Sequence, residues 1–137
     1  FHPDKLGLVK ESLKVITEGI GAKFALYLYF GSIRELMPGL FDLPVAMIGV
    51  DVVSRQENLD LLLECCSGKD IGLGCVDARS TRMESESELL AIFEKATRRI
   101  PEYKILINPS CGLEFLPHAA ARRKLRGMVW AVKEFAE

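Results

Sequence analysis

Four apolar runs of seven to nine residues recur along the sequence, and each is long enough to form one buried β-strand. They cover residues 24–30, 45–53, 71–78 and 104–110. Strands that are apolar throughout, without alternation, are typical of a parallel sheet covered on both faces. Segments with helical periodicity separate the runs, so the sequence predicts an α/β fold of parallel (β/α) units. Four such units form an open sheet or half of a TIM-type (β/α)8 barrel, and we expect the half barrel.

The intervening segments carry the periodicity and the end signals of helices. In residues 4–20, apolar side chains recur every three or four positions, and Gly19 and Gly21 indicate the end of the helix. Residues 84–99 begin with acidic and end with basic side chains, as the helix dipole favours. The other predicted helices cover residues 33–40 (interrupted at Pro38-Gly39), 58–66 and 117–134. Because no linker divides residues 1–137, we expect a single domain. The sequence starts on a helix and not on a strand, so we expect this domain to be part of a larger fold.

The composition is that of a small globular domain. Of the 137 residues, 49% are hydrophobic and 27% are charged, so a packed core is expected and disorder is not. The formal net charge of -1 argues against a nucleic-acid or membrane surface. The four cysteines form no C-x-x-C pair, which favours a reducing cytoplasm over a secreted disulfide framework. No signal peptide is recognisable and the first residue is not Met, so we expect a fragment, a processed chain or a trimmed chain.

Candidate functional side chains lie near the carboxyl ends of the first two predicted strands. Tyr27 and Tyr29 are two residues apart, which places them on one face of the first strand. Their structural alternative is a role as core or rim aromatics. Asp51 is the single charge in the second strand, and a buried carboxylate needs a partner. Polar groups that converge from several strand ends are what a barrel active site requires.

The third and fourth strands end on further candidates. Asp77 and Arg79 are predicted to bind substrate with Asp51, although they could instead pair with each other or cap the next helix. Cys111 follows the fourth strand, just before the helix that begins near Pro117. The alternative interpretation is that Cys111 is a small buried residue at a strand end, since free cysteine often packs as a hydrophobe. Pattern alone gives the functional and structural interpretations of Asp51 and Cys111 equal weight.

Three segments carry a resemblance to a known family. They are Asn-Pro-Ser-Cys-Gly-Leu at residues 108–113 with Leu-Pro at 116–117, Val-Asp-Val-Val-Ser-Arg at 50–55, and Ile-Gly-Leu-Gly-Cys-Val-Asp-Ala-Arg-Ser at 71–80. Together they resemble, in order and spacing, the carboxy-terminal catalytic barrel of the cobalamin-independent methionine synthase family. The resemblance covers most of the chain from residue 24 onward. It implies that residues 1–137 correspond to the carboxy-terminal half of that barrel.

The resemblance also implies a zinc site with altered ligands. The family binds zinc through His-x-Cys on one strand, Glu on the next and Cys on the last, and zinc holds homocysteine as a reactive thiolate. Cys111 stands at the last cysteine position, and Asp51 replaces the glutamate. Tyr27 and Tyr29 stand at the His and Cys positions, where phenols are poor zinc ligands. Arg79 stands where the folate-dependent enzymes have a histidine thought to move protons.

These correspondences imply a methyltransferase that moves a methyl group to a thiol such as homocysteine through a degenerate zinc site. A methylated folate or a methylated corrinoid protein would be the donor. The alternatives are a non-catalytic relative that binds a ligand or a partner, and a corrinoid-linked methyltransferase or metal-free decarboxylase-like enzyme. Cys75 is either a third ligand or a core residue. A half barrel leaves edges and an interior to cover, so we expect an amino-terminal half barrel or a second copy, as a homodimer, to cover them.

Overall fold

One parallel sheet of four strands forms the centre of the computed structural model, which describes residues 3–65 and 68–137. The strands are β1 (Ala25–Leu28), β2 (Met47–Asp51), β3 (Asp70–Val76) and β4 (Ile105–Pro109). They pair in the order β1-β2-β3-β4, and every pair is parallel. This order confirms the predicted fold class, parallel (β/α) units as in half of a TIM-type barrel.

Four α-helices flank the strands at the predicted places. They are α1 (Leu6–Thr17), α2 (Glu57–Cys65), α3 (Glu86–Thr97) and α4 (His118–Ala136). The predicted start of α3 at residue 84 is two residues early, because Ser85 is its N-cap. The Ser85 side chain accepts the N–H of Glu88, and the Glu88 carboxylate accepts the N–H of Ser85. In the described ranges, no helix is both long and apolar enough to cross a membrane.

The prediction of an α-helix between β1 and β2 is wrong. Residues 33–40 contribute instead to two short 3₁₀ segments, Arg34–Leu36 and Gly39–Asp42. Pro38 lies between them, and a proline cannot donate the backbone hydrogen bond that a continuous α-helix needs there. The buried side chains of this connection still join the core cluster formed by β2 and β3, so it contributes to the core as a helix would.

The two faces of the sheet differ in their cover. On the face that carries the helices, Ile48, Val50, Ile71 and Leu73 are fully buried. On the opposite face, Tyr27 lies in register with Gly49, which is in register with Gly72. The Tyr27 ring lies over both glycines, since a Cβ built at Gly49 would come within 2.1 Å of the ring. The absence of two side chains therefore makes room for one aromatic ring on this face.

Apolar surface remains open on this second face and at both ends of the helix layer. Leu106 on β4 is 51% exposed, and Val15 on α1 and Trp130 on α4 are 73% and 47% exposed. The buried Oδ1 of Asn108 has no hydrogen-bond partner among the described residues, and such atoms are usually paired. A sheet with these open surfaces has the form expected of a half barrel.

Helix α4 turns most of its larger aliphatic side chains away from the core. Met128 is partly buried, but Leu125, Val129 and Val132 are exposed. The fully buried positions of α4 are Ala120, Lys124 and Ala131. The helix therefore packs small residues and one lysine against the domain and leaves its larger aliphatic residues outside.

We expect Gly49→Ala to destabilise the protein by about 1–3 kcal/mol, because the new methyl group overlaps the Tyr27 ring. In a Tyr27→Ala background most of that cost disappears, because the overlap is gone. Gly7→Ala in α1 is the matched control: its Cβ meets nothing within 4 Å, and alanine stabilises a helix by roughly 0.5–1 kcal/mol. Urea unfolding of the four variants measures these differences, and an equal cost of Gly49→Ala in both backgrounds would contradict the contact.

Candidate functional site

The carboxyl ends of the parallel strands surround a cleft of about 650 Å³. Tyr29, Arg79 and Cys111 line it, together with Phe30 and Phe115. The structure thus brings together three of the residues predicted from the sequence. Tyr29 reaches the cleft because it lies beyond the end of β1, where the strand was predicted to continue. Open, partly apolar clefts with a few polar groups at this edge are where α/β proteins bind small molecules.

Asp51 lies at the end of β2, outside the residues that line the cleft, and is 2% exposed. Its Oδ1 accepts the backbone N–H groups of Val53 and Ser54 at 2.9 and 3.0 Å. Its Oδ2 accepts the hydroxyl of Ser54 and, at 3.5 Å, the backbone N–H of Phe30. The carboxylate therefore holds the chain after β2 against the chain after β1, and its oxygens are engaged within the protein.

Asn58 of α2 strengthens the same connection. Its Nδ2 donates to the carbonyl oxygens of Gly31 and Asp51, both at 2.9 Å, and its Oδ1 accepts the N–H of Ile33 at 3.0 Å. Asn58 is 1% exposed, so these bonds form without competition from water. The loop after β1 is thus fixed by two buried polar side chains, one of which, Asn58, was not identified from the sequence.

Asp77 shapes the loop after β3. Its Oδ1 accepts the backbone N–H of Arg79 at 2.8 Å, and its own N–H donates to Oε1 of Glu84 at 2.9 Å. A carboxylate that accepts the N–H two residues on forms an Asx turn. Asp77 does not line the cleft, so its contribution is to place the residues that follow it.

Arg79 reaches the cleft over an aromatic ring. Its guanidinium carbon lies 4.7 Å from the centroid of the Phe30 ring, within the range of a cation–π contact. The Tyr29 ring meets the Phe30 ring edge-on, with centroids 5.8 Å apart. Phe30 has a φ of +62°, a left-handed conformation that costs a bulky residue roughly 1–2 kcal/mol. The backbone strain is therefore located at the residue whose ring supports Arg79. Phe30 was not predicted as a functional residue, because in the sequence it stands at the end of an apolar run.

Cys111 is partly exposed in the cleft. Desolvation raises the pKa of its thiol, the Ser110 side chain lowers it, and the charges of Glu114 and Asp51 raise it further. The positive charge of Arg79 lowers the pKa, but the net direction is upward. A raised pKa keeps the thiol protonated at neutral pH, and a protonated thiol is a weak nucleophile.

The four residues predicted to stand at zinc-ligand positions are not arranged to fit a zinc ion. The oxygens of Asp51 already accept hydrogen bonds, and the hydroxyl of Tyr27 donates to Sδ of Met47 at 3.4 Å. Within residues 3–65 and 68–137, no three His, Cys, Asp or Glu side chains are grouped as a metal site would require. Zinc sites in proteins need at least three protein ligands.

Cys75 does not supply the missing ligand. It is 1% exposed, its Sγ lies 3.9 Å from the carbonyl oxygen of Asn108, and burial raises its pKa to about 12. It belongs to the core cluster with β2, β3 and the helices. The core interpretation of Cys75 therefore agrees with the structure, and its recruitment as a ligand does not.

Comparison with known proteins relates this chain to one family. A family model described as the catalytic domain of cobalamin-independent synthase matches residues 16–134. The chain is 32% identical over 133 residues to a methionine synthase of Pyrococcus abyssi, covering 96% of this chain and 39% of that protein. It is 32% identical over 131 residues to a methionine synthase of Methanothermobacter marburgensis, covering 95% and 42%. The chain thus spans about two fifths of the length of these curated relatives.

Two solved structures share the fold. A B12-independent methionine synthase from Shewanella sp. W3-18-1, in complex with selenomethionine, matches with a TM-score of 0.85 and 19% identity over 96% of this chain and 44% of that chain. A putative vitamin-B12 independent methionine synthase from Listeria monocytogenes matches with a TM-score of 0.65 and 17% identity, over 94% and 39%. At these identities the likeness concerns the fold.

We expect alkylation by iodoacetamide to distinguish the thiol of Cys75 on β3 from the thiol of Cys111, which follows β4. Cys111 should react slowly at pH 7 and faster as the pH rises, because only the thiolate reacts and the pKa is raised. Cys75 should remain unmodified in the folded protein. Arg79→Met should slow Cys111 further at fixed pH, because it removes a charge that lowers the pKa, whereas Arg126→Met on α4 should not. Peptide mass mapping measures the rates, and fast reaction of Cys111 at pH 6 would contradict the raised pKa.

Proposed function

Because the chain belongs to the cobalamin-independent methionine synthase family, we propose that it carries one side of a methyl-transfer site for a small thiol such as homocysteine. The observation that carries this proposal is the cleft in which Arg79 and Cys111 meet at the carboxyl ends of the strands. The second part of the proposal is that substrate binding here depends on Arg79, and that these residues do not form the family's zinc site.

Arg79 is suited to bind the carboxylate of an amino-acid thiol. A guanidinium presents several N–H donors in one plane and can hold a carboxylate through two parallel hydrogen bonds. The Phe30 ring lies against one face of the guanidinium and leaves its donor edges available. Tyr29 and Phe115 add apolar wall for the methylene groups of the ligand. The cleft therefore combines a carboxylate anchor with an apolar wall beside the Cys111 thiol.

Methyl transfer to a thiol has simple requirements. The substrate thiol gives its S–H proton to solvent, a bond forms between sulfur and the methyl carbon, and the bond between the methyl group and its donor breaks with its electron pair left on the donor. The donor is proposed to be a methylated folate or a methylated corrinoid protein. Asp51 is proposed to contribute to substrate binding indirectly, because its carboxylate accepts the backbone N–H of Phe30, whose ring supports Arg79. Its oxygens already accept hydrogen bonds within the protein.

A second candidate function is a relative that binds its ligand without transferring a methyl group. The observation that favours it is the altered ligand set: Asp51 is engaged in hydrogen bonds, and Tyr27 lies over two glycines of the sheet. In this case the cleft persists as a binding site for a ligand or a partner. The two candidates differ in one product, the methylated thiol.

The open surfaces of the sheet also need a partner. We propose that an amino-terminal half barrel or a second copy of this chain covers them, since the chain matches only 39% and 42% of its curated relatives. Either partner would pair with the free edges of β1 and β4 and cover the exposed Leu106.

If this proposal holds, the 137-residue chain produced alone should not behave as a stable monomer. We expect light scattering after size exclusion to give a mass of at least twice 15.3 kDa, because the chain exposes apolar side chains on α1, α4 and β4. Supplying an amino-terminal half barrel from a relative should replace this self-association with a 1:1 complex. A well-folded monomer at millimolar concentration would contradict the need for a partner.

The proposed function is tested by calorimetry and a methyl-transfer assay on the same preparation. We expect homocysteine to bind, and Arg79→Met to weaken binding roughly ten- to a hundredfold, the scale of a hydrogen bond to a charged group. Arg126→Met on α4 is the control for loss of a surface arginine and should bind as the wild type does. Transfer from methyltetrahydrofolate or methylcobalamin to homocysteine would support the first candidate, and binding without transfer would support the second.

Metal analysis tests the zinc part of the proposal separately. We expect less than stoichiometric zinc in the purified protein and no change on Cys111→Ser, because three grouped ligands are lacking in the described ranges. One zinc per chain that is lost on Cys111→Ser would overturn this expectation.

The substrate part of the proposal has its own control. Homocysteine that binds no better than glycine would overturn the proposed substrate.

A further inference from the structure

Lys124 of α4 is buried to 1% exposure, which is rare for a lysine. Its Nζ donates to Oε1 and Oε2 of Glu84 at 2.8 and 3.0 Å, and to the carbonyl oxygen of Arg82. The side chain of Glu84 is also buried, at 6% exposure. All three donors of the ammonium group are therefore used, as a buried charge requires.

The same pair is hydrogen-bonded through Glu84 to the loop after β3. Oε1 of Glu84, which accepts Lys124, also accepts the backbone N–H of Asp77 at 2.9 Å. Oδ1 of Asp77 accepts the backbone N–H of Arg79 at 2.8 Å. Lys124 thus holds the end of the loop after β3 at Arg82, and Glu84 holds its beginning at Asp77. Arg79 lies between these two fixed points, with its guanidinium over an aromatic ring.

A buried ion pair is a poor way to gain stability alone, because apolar residues of similar size often stabilise a core as well or better. What a buried ion pair adds is a fixed orientation of the groups that it bonds, because each charge must reach particular hydrogen-bond partners. Here the acceptors belong to the loop that carries Arg79, at the edge of the sheet where the cleft lies. Among the described residues, the ion pairs that α3 makes are surface pairs: Lys95–Asp60 and Arg82–Glu88 have partners that are 44% or more exposed.

We propose that Lys124 and Glu84 are positioning residues, which fix the loop of residues 77–82 so that Arg79 is held at the cleft. This inference rests on the proposed function, in which Arg79 binds the carboxylate of the substrate. The pair is hydrogen-bonded to Asp77 and Arg82, which do not line the cleft, so it acts through Asp77 and the backbone of the loop. Loss of the pair should therefore lower the selectivity of the site for a carboxylate while the rest of the fold stays unchanged.

The experiment uses a double variant in which the ion pair is replaced without leaving a lone buried charge. Glu84→Gln keeps an oxygen that can accept the N–H of Asp77, and Lys124→Met keeps the length and apolar stem of the lysine. Either single change leaves one partner without its counter-charge and can prevent folding, so the double variant is the main test. Lys95→Met is the matched control, because it removes a lysine from an exposed pair on the neighbouring helix.

Carboxylate selectivity is the decisive readout. It is the ratio of the affinities for homocysteine and for 3-aminopropane-1-thiol, which lacks the carboxylate. We expect the double variant to reduce this ratio roughly tenfold through loss of positioning, and Lys95→Met to leave it unchanged. Arg79→Met should abolish the selectivity altogether. If Arg79→Met abolishes it and the double variant retains it, the positioning role is overturned while the proposed function stands.

Hydrogen exchange of the free protein tests the same inference without a ligand. We expect the backbone N–H groups of Asp77 and Arg79 to exchange at least roughly tenfold faster in the double variant, with the N–H groups of β2 unchanged. Unchanged exchange at both loop positions would overturn the inference even if no thiol binds. If wild type lacks carboxylate selectivity but its loop loosens in the double variant, the proposed function fails and the loop-fixing role of the pair is supported.

Discussion

Parallel pairing of the four strands is the constraint on which the rest of this structure depends. It directs every strand the same way, so the segments that follow β1, β2, β3 and β4 all emerge at one edge. Residues far apart in sequence, such as Tyr29, Arg79 and Cys111, therefore line one cleft. The helices cover one face of the sheet and leave the other open, which gives the chain the form of half a barrel.

Buried charges then give the edge of the sheet its detailed shape. Asp51 connects the chain after β2 to the chain after β1, and Lys124 with Glu84 fixes the loop after β3. Each charge is expensive to bury and is matched by hydrogen bonds from neighbouring loops. The Asp51 carboxylate thus serves the architecture of this edge. At the same edge, the cleft presents the guanidinium of Arg79 over the Phe30 ring.

The strand order and the candidates at strand ends could be predicted because they depend on local patterns. Continuous apolar runs indicated the parallel sheet, and Cys111 and Asp51 stood out as polar residues beside such runs. Lys124 was missed because it lies among other basic residues of α4, and its burial depends on Glu84, forty residues earlier. The small residues Ala120 and Ala131 on the same side of α4 were the signal that this side faces inward. Phe30 was missed for a different reason, since its left-handed backbone is imposed by the loops and not by its own preference.

The central claim is that Arg79, supported by Phe30 and by the loop after β3, anchors a carboxylate in the cleft. Its most direct test is to follow the side-chain Nε–H signal of Arg79 by NMR during a titration with homocysteine. The account predicts a saturable shift of this signal, and no shift with 3-aminopropane-1-thiol at the same concentrations. A shift of equal size with both thiols, or none with either, would contradict it.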